Sequence, residues 1–413
     1  MLLMNSIKNN SNSTSINNEN ALQRFNATYP VDDWLKCCFL TVDYINEMNP
    51  HWMQFEPPPR IVYYILAGVY LVVMIIGVFG NLTVIGIFYR CAALRTPANT
   101  LIMNLAFSDL LMMAMIPLLL YNCFNYGPAI GRTGCKLYGF MGGLSGTVSI
   151  CLLAAISYDR FYVIRFPLRK LINKAHIYPL VGLSWIYGIV FSIIPVLDLG
   201  FGSYVPEAYF ISCSFDYITP RFDIKIFILS YFVAAWLVPF IIITFSYVNI
   251  IWVVARSRKV ITKNLSTKET YIHMKKEVKL KQEMKLAVTV LLVVLLWFVA
   301  WTPYATVALL GISGESELIT PAVSLAPALF CKMASCLDPY VYAFSHPKIR
   351  KEIDFMLSQN SATRFFCPRR VLERRFTQRM SERMSQSIEA IEEVVMVTLP
   401  SEEAPTPHIS HHI

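Results

Sequence analysis

Seven long apolar runs, separated by short polar segments, occupy most of the chain between residues 61 and 344. Each run is close to or above the roughly 20 residues that a helix needs to cross the apolar core of a bilayer. Only helices satisfy every backbone N–H and C=O group in lipid over runs of this length. We therefore predict an all-α membrane protein, a bundle of seven transmembrane helices. The predicted runs are 61–89, 97–123, 133–165, 176–199, 223–255, 284–310 and 318–344.

Composition supports a membrane protein and argues against a soluble one. Hydrophobic residues make up 55% of the 413 residues and charged residues 15%, which is too apolar for an ordinary soluble domain. The formal net charge is +9, but the basic residues lie in short clusters between the apolar runs. That layout is typical of cytoplasmic loops and indicates no nucleic-acid partner. The ten cysteines show no zinc-type spacing, so no metal site is predicted.

Charge asymmetry between the loops predicts the orientation in the membrane. The loops after runs one, three and five are rich in Lys and Arg, whereas the charge after runs two, four and six is mostly acidic. The positive-inside rule then places the N-terminus outside and the C-terminus in the cytosol. Residues 1–60, polar and rich in Asn and Ser, are predicted to be a flexible extracellular tail, in which the pairing of Cys37 and Cys38 stays open. Its three glycosylation sequons begin at Asn9, Asn12 and Asn26.

The cytoplasmic segments have distinct patterns. Lysines and glutamates between runs five and six predict helical extension of both runs beyond the membrane, with a solvated surface and a partner-docking surface equally consistent. Residues 345–357 are amphipathic and predict a short helix eight on the inner membrane face. Cys367, beside two phenylalanines, is a predicted palmitoylation site. Residues 358–413, rich in Ser and Thr, are predicted to be a disordered tail open to phosphorylation.

A few ionisable residues lie within the apolar runs. Asp109 is in run two, Asp159 and Arg160 end run three, and Lys332 and Asp338 are in run seven. An ionisable group at membrane depth costs roughly 2.5–3.5 kcal/mol on insertion scales, so each of these residues marks a functional position.

Short polar and aromatic motifs stand in a fixed order along the runs. In chain order they are Gly80-Asn81, Asp109, Asp159-Arg160, Trp185, Pro239, Tyr247, Trp301-Thr302-Pro303-Tyr304 and Asp338-Pro339 with Tyr342. This order resembles the rhodopsin-like class of G-protein-coupled receptors over about residues 60–357. The resemblance implies a disulfide between Cys135 and Cys213, which would tie the start of run three to the second outer loop. The alternative is two free thiols.

By the same resemblance, the inner end of run three is an electrostatic switch. Arg160 would pair with Asp159 and, across the bundle, with Glu283 at the base of run six. Breaking the pair would release run six to move outward. The alternative is a solvated helix end. Phe161, where the class has Tyr, and Asp338, where Asn is commoner, depart from the class pattern and bear on basal activity. The other residues that the class implies in activation are Asp109, Tyr247 and Tyr342.

Lys332 stands near the middle of run seven with no acidic residue within a helical turn. A buried amine without a partner suits Schiff-base formation with an aldehyde. The alternative is a lysine that faces a wet cavity and binds an acidic ligand. Segments 202–207 and 212–217 resemble the opsin loop that folds over the retinal pocket, and Lys332 precedes Asp338 by six residues, as the retinal-binding lysine does in opsins. The chain is therefore identified as a member of the opsin family.

The opsin resemblance implies a chromophore, 11-cis retinal or a hydroxylated retinal, attached to Lys332. An apolar, aromatic slot suits a long conjugated polyene. For the tryptophan and tyrosine of run six taken alone, core packing is the plainer explanation. The residues implied as its lining are Trp301, Tyr304, Gly146 and Tyr217.

A buried cationic Schiff base needs a negative partner. Vertebrate visual pigments have a glutamate three residues after the run-three cysteine, where this chain has Tyr138. Glu207, in the second outer loop, is therefore the predicted counterion, as in opsins of the invertebrate type, with Tyr138 as a nearby hydrogen-bond donor. The alternative for Glu207 is an ordinary solvated loop charge.

The stretch after run seven, Ser345-His346-Pro347-Lys348, resembles rhabdomeric opsins of arthropods. The resemblance implies signalling through a heterotrimeric G protein of the Gq class. It also implies arrestin and a receptor kinase as partners of the C-terminal tail, and a plasma or rhabdomeric membrane as the location. The alternative for His346 and Lys348 is a plain helix-eight start, for which Pro347 is well placed.

Two other functions fit the same pattern. A retinal photoisomerase would be an enzyme on this scaffold, although Asp159-Arg160 and the basic third inner loop favour a receptor. A chemoreceptor would use Lys332 to bind an acidic ligand rather than to form a Schiff base. The absorbed wavelength does not follow from the pattern. We predict a light-activated receptor and no enzymatic activity.

Overall fold

The structure, a computed structural model, describes residue 23 and residues 25–166, 174–258 and 267–345. Within these residues, six helices are long and apolar enough to cross a membrane, and the 25-residue helix Pro321–Ser345 completes seven. The predicted all-α bundle of seven helices is confirmed. We call the helices spans one to seven: Arg60–Arg90; Pro97–Ala114 with Ile116–Phe124; Gly131–Arg165; Lys174–Ile193; Phe222–Phe232 continuing through Val233–Leu237 to Val238–Arg258; Thr267–Ser313; and Pro321–Ser345.

Span three is the central helix of the bundle. Of its most apolar 18-residue window, 78% is buried, against 22–28% for spans one, four and five, which are exposed on most of their circumference. A glycine of span four allows the close approach: a Cβ added at Gly188 would lie 2.5 Å from the side chain of Val148 on span three. Because span three touches both ends of the bundle, it positions Cys135 and Tyr138 at one end and Arg160 at the other.

Spans two and five each contain a local irregularity caused by proline. Pro117 opens the second half of span two, and Pro239 follows a turn of π-helix at Val233–Leu237 in span five. Proline has no N–H, and its ring clashes with the carbonyl four residues earlier, so the regular hydrogen-bond ladder is interrupted. The hydroxyl of Tyr187 donates to the carbonyl of Ala234 over 3.1 Å, which satisfies a backbone group of the irregular turn.

Span six extends well beyond a bilayer core. Its 47 residues rise about 70 Å at 1.5 Å per residue, more than twice the apolar thickness. The extension includes residues 267–283, the charged segment in which the sequence predicts helix outside the membrane.

A short hairpin closes one end of the bundle. Its strands, β1 (Tyr204–Glu207) and β2 (Ser212–Phe215), pair antiparallel with Glu207 opposite Ser212. The turn between them uses left-handed backbone at Ala208 and Phe210 (φ 59° and 60°). A disulfide from Cys213 to Cys135 fastens the hairpin to span three. The hairpin is therefore held in a fixed position across one end of the space between the spans.

Residues 25–56, which we call the N-terminal cap, pack over the hairpin. The prediction of a flexible tail over residues 1–60 is wrong for this part. The short helices Val31–Cys37, Val42–Glu47 and Pro50–Met53 bury Phe25, Trp34 and Trp52, each at most 1% exposed, and the ring of Phe25 lies 5.0 Å from that of Phe210. Aromatic residues spaced through a polar segment supply enough apolar area to fold it against an existing surface.

Polar contacts complete the attachment of the cap. The indole of Trp34 donates to the Asn125 carbonyl over 2.7 Å, and Nε2 of His51 lies 2.8 Å from the Ile319 carbonyl. Cys37 and Cys38, whose pairing the sequence leaves open, form a disulfide between neighbours.

Several predictions concern parts of the chain that the structure does not describe. Asn26 is described and is exposed, as a glycosylation acceptor must be. Outside the described residues lie Asn9, Asn12, His346, Lys348, Cys367, helix eight from residue 346 onward, the tail 358–413 and the side chain of Tyr342.

Candidate functional site

Lys332 lies inside the bundle, one helical turn after Ala328 on span seven. The side chain is buried, and its Nζ donates to the Ala328 carbonyl over 3.2 Å. Two tyrosine rings flank the amine: its Nζ is 5.4 Å from the ring centroid of Tyr138 and 5.8 Å from that of Tyr70. Among the ion pairs of the described residues, none includes Lys332. The amine is therefore held by ring faces and one carbonyl.

Glu207, at the end of β1, is buried at 2% exposure, which excludes the alternative of a solvated loop charge. Its Oε2 accepts hydrogen bonds from the hydroxyls of Tyr217 (2.7 Å) and Ser324 (2.9 Å), and its Oε1 accepts from Ser212 (3.2 Å). Burial raises the pKa of Glu207 above its ordinary 4.5, whereas the hydrogen bonds from Tyr217 and Ser324 and the charge of Lys332 lower it. The three hydroxyl donors thus stabilise the Glu207 carboxylate although it is buried.

Ser324 is a site residue that the sequence prediction missed. It stands eight residues before Lys332 on span seven, a spacing that puts both side chains on one face of a helix. The spacing from Lys332 is visible in the sequence, but it indicates a site residue only when Glu207 is known to lie against the same helix face.

A cavity with an empty volume of about 470 Å³, which includes open solvent, joins the two polar groups. Lys332, Glu207, Tyr138, Trp301 and Tyr304 all line it, so the fold brings most of the predicted site residues together. Tyr217 is not among the described residues that line it; this tyrosine lies behind Glu207 and hydrogen-bonds its carboxylate.

A second cavity, with an empty volume of about 550 Å³ that includes open solvent, lies between spans three, five and six and is almost wholly apolar. Phe215, Trp301 and Tyr304 line both cavities and form the wall between them. Gly146 of span three also lines the second cavity, and a Cβ there would lie 2.2 Å from the indole of Trp301. Only glycine at this position leaves the indole its present place. The two cavities share three lining residues and form a mostly apolar slot, with the Lys332 amine in the first of them.

The chain is similar to known receptors. A family model described as "7 transmembrane receptor (rhodopsin family)" matches residues 80–342. The "Opsin, ultraviolet-sensitive" of Apis mellifera is 35% identical over 308 residues, which cover 73% of this chain and 82% of that protein. The "Rhodopsin" of Enteroctopus dofleini is 38% identical over 315 residues, covering 74% and 68%. The chain belongs to the opsin family.

The fold of this opsin agrees with a solved relative. The crystal structure of squid rhodopsin matches with a TM-score of 0.70 and 35% sequence identity, over 75% of this chain and 84% of that one. Opsins are light-sensing G-protein-coupled receptors, so this protein is a multi-pass membrane receptor and not an enzyme.

At the far end of the bundle, this opsin places Arg160 between two acids. The guanidinium pairs with Asp159 on the same span, and its Nη1 lies 2.9 Å from Oε2 of Glu283 on span six. Arg160 and Asp159 are buried, so the alternative of a solvated helix end does not apply. The hydroxyl of Tyr247 on span five donates to the Ala287 carbonyl on span six over 2.8 Å. These contacts hold spans three, five and six together.

The remaining predicted residues, Asp109 and Asp338, lie inside the bundle. Both are buried, at 0% and 3% exposure. The hydroxyl of Ser149 donates to Oδ1 of Asp109 over 3.4 Å, and the amide of Asn81 donates to the Ser335 carbonyl over 3.2 Å, linking spans one, two, three and seven.

Proposed function

We propose that this opsin binds 11-cis retinal, or a hydroxylated retinal, covalently at Lys332. Lys332 would hold the aldehyde end of the retinal through its amine nitrogen, which would carry positive charge when protonated. Bound retinal supplies light absorption and a change of shape from cis to trans. The observation that carries the proposal is the buried Lys332 amine in a mostly apolar slot. That slot suits a stiff polyene.

Glu207 acts as the counterion in this proposal. Its three hydrogen bonds keep the carboxylate available at a burial where an isolated acid would take up a proton. Tyr217 and Ser324 fix its Oε2, so its position does not depend on a direct ion pair with Lys332. Tyr138 contributes a ring face beside the amine.

Signalling would proceed through Trp301 and span six. Trp301 separates the two cavities and packs on Gly146, so any change in the shape of the slot pushes on span six. Outward movement of span six opens the contact between Arg160 and Glu283 and exposes a cleft between spans three, five and six for a G protein.

We assign the G protein to the Gq class, and arrestin and a receptor kinase to the C-terminal tail. The hairpin end and the glycosylated cap would face outward, and helix eight with a palmitoylated Cys367 would lie on the inner face. The location would be a plasma or rhabdomeric membrane. The support for these assignments is the basic loops on the Arg160 side and the resemblance of residues 345–348 to rhabdomeric opsins.

The decisive experiment adds 11-cis retinal in the dark to the purified protein and to two variants. Wild type and Lys136→Ala, whose lysine pairs with Asp198, should form a visible absorbance band, and borohydride should then fix the retinal covalently to both proteins. Lys332→Ala should form none. A visible, fixable band in Lys332→Ala would refute the attachment site. A wild type that binds retinal without fixation would favour a chemoreceptor.

A second measurement tests signalling. Light should accelerate nucleotide exchange on a reconstituted Gq heterotrimer more than on one of the Gi class. Release of isomerised retinal without any light-stimulated exchange would instead favour a photoisomerase.

A further inference from the structure

The Lys332 nitrogen lies between two aromatic faces that come from different spans. Tyr138 belongs to span three, at a position the opsin resemblance already marks, whereas Tyr70 belongs to span one and has no role assigned above. The Nζ-to-centroid distances are 5.4 and 5.8 Å, and the two tyrosines are 2% and 0% exposed. Neither phenol hydroxyl has a hydrogen-bond partner among the described residues. Hydrogen bonding therefore does not account for the presence of two tyrosines here.

Ring faces stabilise a cation in this setting. The face of a tyrosine ring is negative, and a cation within about 6 Å of the centroid is attracted to it, more strongly where water is excluded. Glu207, the nearest candidate counterion, is occupied by hydrogen bonds from Tyr217, Ser324 and Ser212 and forms no ion pair with Lys332 among the described residues. A buried cation that forms no ion pair with its carboxylate needs local stabilisation.

We propose that Tyr70 and Tyr138 form an aromatic cage that stabilises positive charge on the Lys332 nitrogen, with Tyr70 as its previously unassigned half. The inference rests on the proposed retinal attachment for its spectroscopic consequence, but the cage acts on the free amine as well. Its consequence is a pigment whose Schiff base stays protonated at neutral pH and absorbs in the visible range. Tyr70 acts as a positioning residue, because its ring face attracts the positive charge on the nitrogen without forming a bond to it.

The test compares Tyr70→Leu, which removes the ring, with Tyr70→Phe, which removes only the hydroxyl. The control is Tyr63→Leu, two turns earlier on span one. Tyr63 is also buried, its hydroxyl has no hydrogen-bond partner within the described part of the chain, and its ring centroid lies 5.5 Å from that of Tyr126. Each pigment is titrated with base while the visible band is followed. Tyr70→Leu should lower the midpoint by roughly one pH unit, the tenfold change expected of a desolvated cation–ring contact. Tyr70→Phe and the control should stay within a few tenths.

A second readout needs no chromophore. The apoprotein is treated with a small aldehyde and borohydride over a range of pH, and labelling of Lys332 is measured by mass spectrometry. Tyr70→Leu should label several-fold faster than wild type near neutral pH, because a larger fraction of the amine is neutral. Tyr138→Leu should also label faster than wild type, and this variant replaces Tyr70→Leu in the test if Tyr70→Leu does not fold.

The outcomes separate the two proposals. Midpoints and labelling rates of Tyr70→Leu equal to those of Tyr63→Leu would overturn the cage, as would a Tyr70→Phe shift as large as that of Tyr70→Leu. If wild type forms no pigment with retinal, the proposed function fails, and the labelling experiment still decides on the cage.

Discussion

Replacing Gly146 by alanine perturbs the contact between span three and the indole of Trp301. The added Cβ would lie 2.2, 2.7 and 2.9 Å from three carbon atoms of that ring, and ordinary van der Waals contact begins at 3.4 Å. The ring must therefore retreat by about 1.2 Å at its nearest atom. Its six-membered rim cannot bend, and the indole stacks on Trp297 at 5.3 Å between centroids. To make room for the added Cβ, either span six must move or the Trp301 side chain must leave its rotamer, and either change destabilises the fold by about 1–3 kcal/mol.

The assay measures thermal unfolding of the purified receptor together with the yield of pigment on adding retinal. A loss of this size lowers the apparent Tm by a few °C, and the displaced indole narrows the slot, so the pigment yield falls as well. Gly142→Ala is the matched control one turn earlier on span three, because its Cβ would meet only the flexible end of Met115, at 3.2 Å. It should stay close to wild type in both measurements.

A double-mutant cycle sharpens the test. In a Trp301→Leu background the clash is gone, so adding Gly146→Ala should cost almost nothing further, and the two changes should be strongly non-additive. Additive losses, or equal Tm values for Gly146→Ala and Gly142→Ala, would refute the reasoning that glycine is required by the indole.

Three further predictions follow from other parts of the structure. Glu283→Gln removes one partner of Arg160 in a partly exposed ion pair worth up to about 1 kcal/mol, so dark nucleotide exchange should rise by up to roughly fivefold; unchanged dark exchange would count against the switch. Cys213→Ala removes the disulfide to Cys135, which joins residues 78 positions apart in the sequence. The free energy of unfolding should therefore fall by roughly 2–5 kcal/mol, and a value equal to that of wild type would contradict this. Burial lowers the pKa of His51 below its ordinary 6.5, so the fold favours neutral histidine: the cap should be fully stable above about pH 6.5 and lose stability as pH falls below that value. Unfolding followed by tryptophan fluorescence at pH 7.5 and 5.5 checks the sign, and His51→Gln should abolish the difference.

The local chemistry of the chain determined the bundle and its most important residue. Runs of about 20 apolar residues are helices in lipid whatever surrounds them, so the number of spans follows from the sequence alone. A lysine such as Lys332 in the middle of a run is costly wherever its side chain points, and so it marks a functional position before any contact is known. The pairing of Cys135 with Cys213 followed from the family resemblance, and the structure has it.

Contacts between spans were decided only by the tertiary structure. The burial of Glu207, its bond from Ser324 and the place of Tyr70 beside Lys332 depend on how spans one and seven are rotated and on where the hairpin lies. The folding of the N-terminal cap likewise depends on a surface, around Phe210, that its own polar sequence does not reveal. Periodicity fixes which residues share one helix face, but helix rotation and loop position are set by packing against distant segments.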